Sequence, residues 1–231
     1  MRPIVILSRK LKYSCKGVFE IFADTHRIIA SQVYEDIYKI YDFKLNKDKL
    51  LWGSVAPDIV PKYKLIRHYQ DESLNYIALE IMKIIFISRF VDLRRIKDPI
   101  AVNILSKSIG IISHYLSDYV CLPHARRWTF ADSMIKHVRY ESKLNDFASS
   151  HSFKKNVITV DDLNFSDESL LNIRIAIKNY IMDVVDEYSL KTGMKNDLDF
   201  AVSLNLKITY FILDAIQNYS EDIHRAFALE F

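Results

Sequence analysis

Five histidines and three carboxylates of this chain form an ordered array of the side-chain types that hold hydrolytic metal ions. In chain order they are His26, Asp58, His68, His114, Asp118, His124, His137 and Glu141, with Asp24 as a further candidate. The chain has only seven histidines, and the two outside the array, His151 and His224, are expected at the surface. Imidazole nitrogens and carboxylate oxygens are the usual ligands of catalytic zinc. The array therefore predicts a metal centre.

Two pairs in the array are spaced so that both side chains lie on one face of a helix. They are His114 with Asp118, and His137 with Glu141. Such a pair alone is weak evidence, because the spacing arises by chance, and we attribute the third example, His68 with Glu72, to chance. The His114 pair carries more weight because its helix is otherwise apolar, and a buried charge needs a partner or a metal.

Helical periodicity dominates the chain and directs several of these ligands inward. Apolar residues over 18–40 recur at steps of three and four, and His26 lies on that apolar stripe. A capping aspartate followed by proline predicts another helix over residues 98–120, which Pro123 ends or bends. The first helix therefore carries His26 and the second carries His114 and Asp118.

The remaining segments are also predicted to be helices joined by long loops. Further helices are predicted over residues 71–90, 167–190 and 197–227, and loops over 46–64 and 150–167. A sequence resembling a capping box at residues 129–132 starts the helix that carries His137, whereas Asp58 lies in the first loop. No repeat or linker divides the chain, so we predict an all-α, single-domain helical bundle over 1–231.

The composition is that of an ordinary globular protein and gives no support to several function classes. Half of the 231 residues are hydrophobic, and a net charge of +3 gives no electrostatic reason to expect nucleic acid. The four glycines form no phosphate-binding motif, and no segment has the length of a transmembrane helix. The apolar run near the start is too short for a signal peptide, so we expect a cytoplasmic protein with Cys15 and Cys121 as reduced thiols.

The order and spacing of the array resemble the zinc-dependent phospholipase C family, which is related to the P1-type nucleases. The resemblance covers about residues 20–147 and is most specific at Thr25–His26, at 53–58 and at 114–124. Members of the family are all-α phosphodiesterases with three clustered zinc ions. The resemblance thus implies the helical fold, a zinc cofactor and hydrolysis of a phosphate ester, with phospholipid as one option for the substrate.

The resemblance also implies how the ligands divide among zinc ions. One zinc is implied at Asp58, His68, His114 and Asp118, a second at His124, His137 and Glu141, and a third at His26 with the other oxygen of Asp118. Two cations bridged by an aspartate lie about 4 Å apart and can clamp a phosphoryl group. Zinc lowers the pKa of coordinated water to about 7, and Asp58 is implied as the catalytic residue that orients or deprotonates the attacking water.

The chain departs from the family at the third zinc and at the head-group pocket. Secreted members complete the third site with an N-terminal tryptophan, and no tryptophan lies near His26 here, so we expect two firm zinc ions and a labile third, with Asp24 as a substitute ligand. Ile59 stands where the family has an aromatic residue, so a preference for phosphatidylcholine is not implied. Tyr63, Tyr69 or Trp128 are alternative pocket residues.

Two other functions stay open at this point. The first is a nuclease of the P1 type, which is the only alternative that implies nucleic acid as a partner. The second is a zinc-stabilised helical binding protein without catalysis. Structural zinc sites are usually closed by four protein ligands, and the three ligands of the second site favour catalysis. The sequence does not predict the oligomeric state.

Overall fold

The computed structural model describes residues 15–88, 98–128, 133–163 and 170–228, and within these ranges the chain is all-α with no strand. The helices are α1 (Cys15–Tyr41), α2 (Lys47–Gly53), α3 (Ala56–Ile59), a 3-10 turn (Pro61–Tyr63), α4 (Gln70–Ser88), α5 (Pro99–Tyr119), α6 (Leu122–Ala125), α7 (Met134–Ala148), α8 (Leu170–Ser189) and α9 (Met194–Ala228). The predicted all-α bundle is confirmed. The predicted capping box at residues 129–132 lies outside the described residues. None of the described helices combines the length and hydropathy needed to cross a membrane.

The predicted start of the α5 helix is confirmed by its capping geometry. The Asp98 side chain accepts a hydrogen bond from the Ile100 backbone N–H at 2.8 Å, and Pro99 occupies the first helical turn. The helix ends at Tyr119, and the short helix α6 follows with Pro123 in its first turn. Pro123 therefore lies within the helix that carries His124, and the helix that carries His114 ends four residues before it.

The predicted loop over residues 46–64 is wrong, because this segment contains α2, α3 and the 3-10 turn. The Asn46 side chain caps α2 by accepting from the Lys49 backbone N–H at 3.1 Å. Pro57 and Pro61 stand in the first turns of the two elements that follow, where the missing N–H of proline costs nothing. These prolines start short helices here, so Asp58 lies on α3.

Helix α5 lies at the centre of the bundle and packs against α1, α2, α4 and α9. Every residue from Ile109 to Val120 is buried. On α1, Ile29, Val33 and Ile37 are buried in the same core, which confirms the inward apolar stripe. Because this second half of α5 is buried on all sides, the polar side chains it carries must be satisfied inside the protein.

Helices α2 and α5 approach each other closely at two glycines. A Cβ atom on Gly110 would lie 2.8 Å from the Ser54 backbone nitrogen and 2.9 Å from the Gly53 Cα, and would overlap the Leu50 carbonyl oxygen. A Cβ atom on Gly53 would meet the Gly110 Cα at 3.1 Å. The missing side chains therefore let the backbones touch, and this contact brings the end of α2 against the middle of α5.

Candidate metal centre

The eight predicted ligands come together around one cavity of about 290 Å³. Seven of them line the cavity, and His114 is fully buried beside it. Three groups each have their donor atoms within 4.8 Å of one another, and the first two share His114: His26 with Asp58 and His114, His68 with His114 and Asp118, and His124 with His137 and Glu141. Segments far apart in the sequence therefore contribute to a single centre, as in the metal sites of helical bundles.

The first ligand group consists of Asp58 on α3, His68 in the turn before α4, and His114 and Asp118 on α5. His68 Nδ1 lies 2.7 Å from Asp118 Oδ2 and 3.1 Å from His114 Nε2. His114 Nε2 lies 3.2 Å from Asp118 Oδ2 and 3.5 Å from Asp58 Oδ1, and His68 Nδ1 lies 3.9 Å from Asp58 Oδ1.

These distances match the edges of a coordination tetrahedron. Zinc bonds of about 2.0–2.1 Å to nitrogen and oxygen require ligand atoms about 3.3 Å apart. Five separations within the first ligand group lie between 2.7 and 3.9 Å, on both sides of that value. The donor atoms of His68, His114 and Asp118 lie within 4.8 Å of one another and suit zinc by type and spacing, and Asp58 falls in the neighbouring group with His26 and His114.

The two oxygens of Asp118 point to different partners. Oδ2 belongs to the first ligand group, whereas Oδ1 lies 3.4 Å from His26 Nε2 and 3.7 Å from His124 Nε2. Burial opposes ionisation, but the neighbouring His124 and His114 hold the pKa of the Asp118 carboxyl well below its usual range. The side chain is thus an ionised carboxylate with one oxygen toward each set of ligands.

The second ligand group combines His124 on α6 with His137 and Glu141 on α7. Glu141 Oε1 lies 2.7 Å from His137 Nε2 and 3.1 Å from His124 Nε2. Burial alone would raise the pKa of the Glu141 carboxyl, but the hydrogen bonds from both histidines lower it to about 2. Within the described residues the group offers three protein donors, which is the ligand number of open, catalytic zinc sites.

Backbone carbonyls orient one histidine of each ligand group. His114 Nδ1–H donates to the Ser54 carbonyl oxygen at 2.8 Å, and His137 Nδ1–H donates to the Trp128 carbonyl oxygen at 3.1 Å. Each bond fixes the tautomer in which Nε2 is free to bind a metal, an arrangement found around metal-binding histidines. The Ser54 carbonyl reaches His114 because the glycine contact presses α2 against α5.

The two histidines with the strongest carboxylate neighbours carry protons in the absence of metal. Burial lowers the pKa of His114, but Asp58 and Asp118 more than compensate and raise it to about 9. Burial also lowers the pKa of His124, and Asp118 with Glu141 raises it to about 9. A metal ion that binds either ligand group must therefore displace a proton at neutral pH.

His26 lies in the metal centre, but the ligands near it belong to the first ligand group. Its Nε2 faces Asp118 Oδ1, and burial together with His114 lowers the pKa of His26 to about 4, so that the ring is neutral. Asp24, the predicted substitute ligand, is instead about half exposed and pairs with Arg27 at 3.0 Å. The candidate group that includes His26 borrows Asp58 and His114 from the first ligand group.

The structure also shows where two other histidines named in the sequence analysis lie. The chance interpretation of His68 with Glu72 is confirmed, because Glu72 pairs with Arg127 at 3.2 Å and His68 points to Asp118. The surface position expected for His151 is wrong: its side chain is 7% exposed and its Nε2 lies 2.7 Å from Asp199 Oδ1. The side chain of His224 lies outside the described residues.

The cavity contains residues that sequence reasoning missed. Asp197 is buried and lines the cavity, yet no motif or periodic pattern distinguishes it in the sequence. Cys121 also lines the cavity as a free thiol whose pKa is raised by burial, in agreement with the predicted reduced state. The side chain of Cys15 lies outside the described residues. The predicted alternatives Tyr63, Tyr69 and Trp128 do not line the cavity.

Comparison with known proteins gives one family and one similar structure. The model of a family described as zinc dependent phospholipase C matches residues 25–192, which extends the similarity from α1 through α8. The crystal structure of Clostridium perfringens alpha-toxin from the avian strain SWCP matches with a TM-score of 0.42 and 16% sequence identity. The match covers 89% of this chain and 63% of the toxin chain, so this chain spans less than two thirds of that structure. No curated protein matches.

Proposed function

The chain belongs to the zinc-dependent phospholipase C family, and on this basis we propose that it is a zinc-dependent hydrolase of phosphodiesters. The observation that carries the proposal is the pair of ligand groups at the wall of one cavity, with Asp118 Oδ2 in the first group and Asp118 Oδ1 3.7 Å from His124 Nε2 of the second. A carboxylate with one oxygen for each group supports two metal ions close enough to act on the same phosphoryl group. Bound zinc supplies a Lewis acid and lowers the pKa of water toward neutrality.

The protein residues have separate roles in this proposal. His68, His114 and Asp118 hold the first ion, and His124, His137 and Glu141 hold the second. Asp58 completes the first group and is also the catalytic residue that orients or deprotonates the attacking water. Its side chain is 28% exposed, more than any other member of the first group, and it lines the cavity. A carboxylate in that position can contact both an ion and a water molecule in the cavity.

Phosphodiesters that include phospholipids are the substrate class we favour over nucleic acid. Proteins that hold single-stranded nucleic acid stack its bases on aromatic rings. Among the described residues, the cavity lining contains no phenylalanine, tyrosine or tryptophan. Its apolar wall consists of aliphatic side chains, including Ile29, Leu144 and Leu198. These walls suit an aliphatic group beside the phosphate better than a base.

We further propose that two zinc ions bind firmly and that a third is labile. The two sites proposed as firm have residues of their own, whereas among the described residues His26 shares Asp58 and His114 with the first group and otherwise faces Asp118 Oδ1 at 3.4 Å. Metal analysis after extensive dialysis is expected to give two zinc ions per chain. Three ions retained after dialysis would contradict this part of the proposal.

The function is tested by measuring zinc and hydrolysis on the same preparations. Zinc content is determined by elemental analysis, and activity is followed with bis(4-nitrophenyl) phosphate, with phosphatidylcholine vesicles and with single-stranded DNA. A chelator is expected to abolish hydrolysis of the chromogenic diester and added zinc to restore it. Firmly bound zinc without hydrolysis of any of the three substrates would refute the enzymatic proposal and favour the structural alternative. Cleavage of the DNA alone would favour the nuclease alternative.

Variants then test the site assignment. His114→Ala and Glu141→Ala each remove a ligand from one group and are expected to lower hydrolysis at least 100-fold, the upper end of the effect typical for residues around a metal. Asp24→Asn is the matched control, because Asp24 is close to His26 in sequence but pairs with Arg27. Equal losses in all three variants, or no loss in the first two, would contradict the assignment.

A further inference from the structure

Asp197, on the first turns of α9, is a buried carboxylate with four hydrogen-bond donors and no place among the metal ligands. It is 2% exposed and lines the same cavity. Each of its oxygens accepts from one tyrosine hydroxyl and one backbone N–H, and both hydroxyl contacts are 2.7 Å long. Because both oxygens are fully engaged, Asp197 does not act as a ligand itself. Its hydrogen bonds instead connect α6 and α7 to α8 and to the turn before α9.

The oxygen Oδ2 of Asp197 joins the two elements that carry the second ligand group. It accepts from the Leu122 backbone N–H at 3.2 Å, at the start of α6, and from the Tyr140 hydroxyl at 2.7 Å, on α7. Leu122 precedes His124 by two residues, and Tyr140 directly precedes Glu141. A single oxygen atom thus bridges the two helices from which the second ligand group is built.

The contacts of Tyr140 extend to the third ligand of the group. Its ring packs edge-on against Trp128, with ring centroids 5.7 Å apart. The carbonyl of Trp128 is the acceptor for His137 Nδ1–H. Displacement of Tyr140 therefore affects Glu141 through the backbone and His137 through Trp128.

The other oxygen of Asp197 connects this assembly to the scaffold. Oδ1 accepts from the Tyr188 hydroxyl at 2.7 Å, near the end of α8, and from the Gly193 backbone N–H at 3.2 Å, in the turn before α9. Neither donor lies on an element that carries a metal ligand. Oδ2 thus contacts the two elements that carry metal ligands, which we call the ligand side, and Oδ1 contacts the scaffold side, which carries none.

We infer that Asp197 is a positioning residue of the second ligand group, which it holds at the spacing that His124, His137 and Glu141 need to bind one zinc ion. The inference rests on the proposed zinc binding but not on hydrolysis. Residues that orient metal ligands typically contribute 10- to 100-fold to metal affinity. Since Asp197 acts one contact further out, we expect its loss to weaken the second zinc site about 10-fold and to leave the first nearly unchanged.

Asp199 provides a matched control two residues further along the same helix. It is also 2% exposed, and its Oδ1 lies 2.7 Å from His151 Nε2 and accepts from the Lys154 backbone N–H at 2.9 Å. Its partners lie after α7 and carry no metal ligand. Asp197→Asn and Asp199→Asn both place an amide among donors, so a general cost of disturbing a buried carboxylate should appear in both.

The first test is a zinc titration against a competing chromogenic chelator, with the two sites resolved as separate affinities. Asp197→Asn is expected to weaken the second site about 10-fold and Asp199→Asn to leave both sites within about 2-fold of the wild type. Equal zinc affinities in Asp197→Asn and the wild type would overturn the inference, and so would equal losses in the two variants. A wild-type protein that binds zinc but fails to hydrolyse diesters would refute the proposed function and leave this inference standing.

A pair of tyrosine variants keeps the inference testable if Asp197→Asn does not fold. Tyr140→Phe and Tyr188→Phe each remove one hydroxyl that donates to Asp197 at the same 2.7 Å distance. Only Tyr140→Phe should lower the zinc affinity of the second site, because only Tyr140 is on the ligand side. Tyr188→Phe should lower the melting temperature and leave zinc affinity unchanged. If Tyr188→Phe weakened zinc binding as much as Tyr140→Phe, Asp197 would have a general structural role only.

Discussion

The contact between α2 and α5 predicts that Gly110→Ala destabilises the protein and weakens zinc binding at the first ligand group. The Cβ atom of alanine would lie 2.8 Å from the Ser54 backbone nitrogen and 2.9 Å from the Gly53 Cα, with the Leu50 carbonyl oxygen closer still. All three neighbours are backbone atoms and cannot turn aside as a flexible side chain would. The end of α2 must therefore move away from α5.

A loss of stability in Gly110→Ala would be opposite to the usual effect of replacing glycine by alanine in a helix. In a helix interior without close neighbours, alanine is more favourable than glycine by about 1 kcal/mol. Overpacking a tight contact costs about 1–3 kcal/mol, and here it must overcome that gain. Because all three neighbours are backbone atoms, we take the upper end of that cost and expect a net loss of up to about 2 kcal/mol, which corresponds to a fall in melting temperature of up to about 8 °C for a chain of this size.

Zinc affinity gives a second, independent measurement for the same variant. The Ser54 carbonyl that accepts from His114 Nδ1 follows Gly53 directly, so movement of α2 breaks or lengthens that 2.8 Å bond. Loss of such an orienting bond lowers metal affinity about 10-fold or more. Thermal denaturation of the zinc-free protein and zinc titration check the two effects. Ser108→Ala, on the same helix, is the control and should shift stability by less than about 0.5 kcal/mol. A rise in melting temperature for Gly110→Ala would refute the reasoning.

Three further predictions concern zinc itself. Zinc affinity should rise by up to about tenfold per pH unit for each protonated histidine as the pH rises toward about 9, and then level off. The reason is that the pKa values of His114 and His124 are raised to about 9, so zinc must displace both protons. A zinc affinity that does not change from pH 7 to 9 would contradict this. In the zinc-free protein, the same two raised pKa values add stability that is complete below their unfolded-state value and is lost as the pH rises through about 9, which denaturant titrations across this range measure. Asp58→Asn should weaken zinc binding at the first site and abolish hydrolysis, while the zinc affinity of the second site stays within about 3-fold of the wild type. Zinc titration and diester assays measure these effects. Retained hydrolysis would exclude the proposed catalytic role of Asp58.

The long helices and the ligand array could be predicted from the sequence because both depend on local spacing. The stripe that directs His26 inward and the cap at Asp98 are properties of neighbouring residues. The apolar surroundings of His114 predict its burial, and the structure leaves it 0% exposed. The assignment of ligands to separate ions came from the resemblance to a family, and spacing alone did not divide the array.

The features that escaped prediction depend on contacts between distant segments. Asp197 takes its four donors from residues 122, 140, 188 and 193, and no window of sequence contains them. His151 is predicted at the surface because it lies outside the ligand array, but Asp199 on α9 pairs with it in the interior. The short helices over 47–63 were missed because proline marks a helix start as well as a loop.

The two ligand groups differ in how the fold supports them, and Asp118 connects them. The first group is built on α5, in the centre of the core, with His114 held by the backbone of α2. The second is built on α6 and α7, and their spacing depends on one buried carboxylate at the start of α9. Asp118 is rigidly placed on α5 and directs Oδ1 toward His124 from the core side. An ion held by the first group would engage Oδ2 and leave Oδ1 directed toward His124, so the group on α5 would also orient an oxygen beside the group that the fold supports less directly.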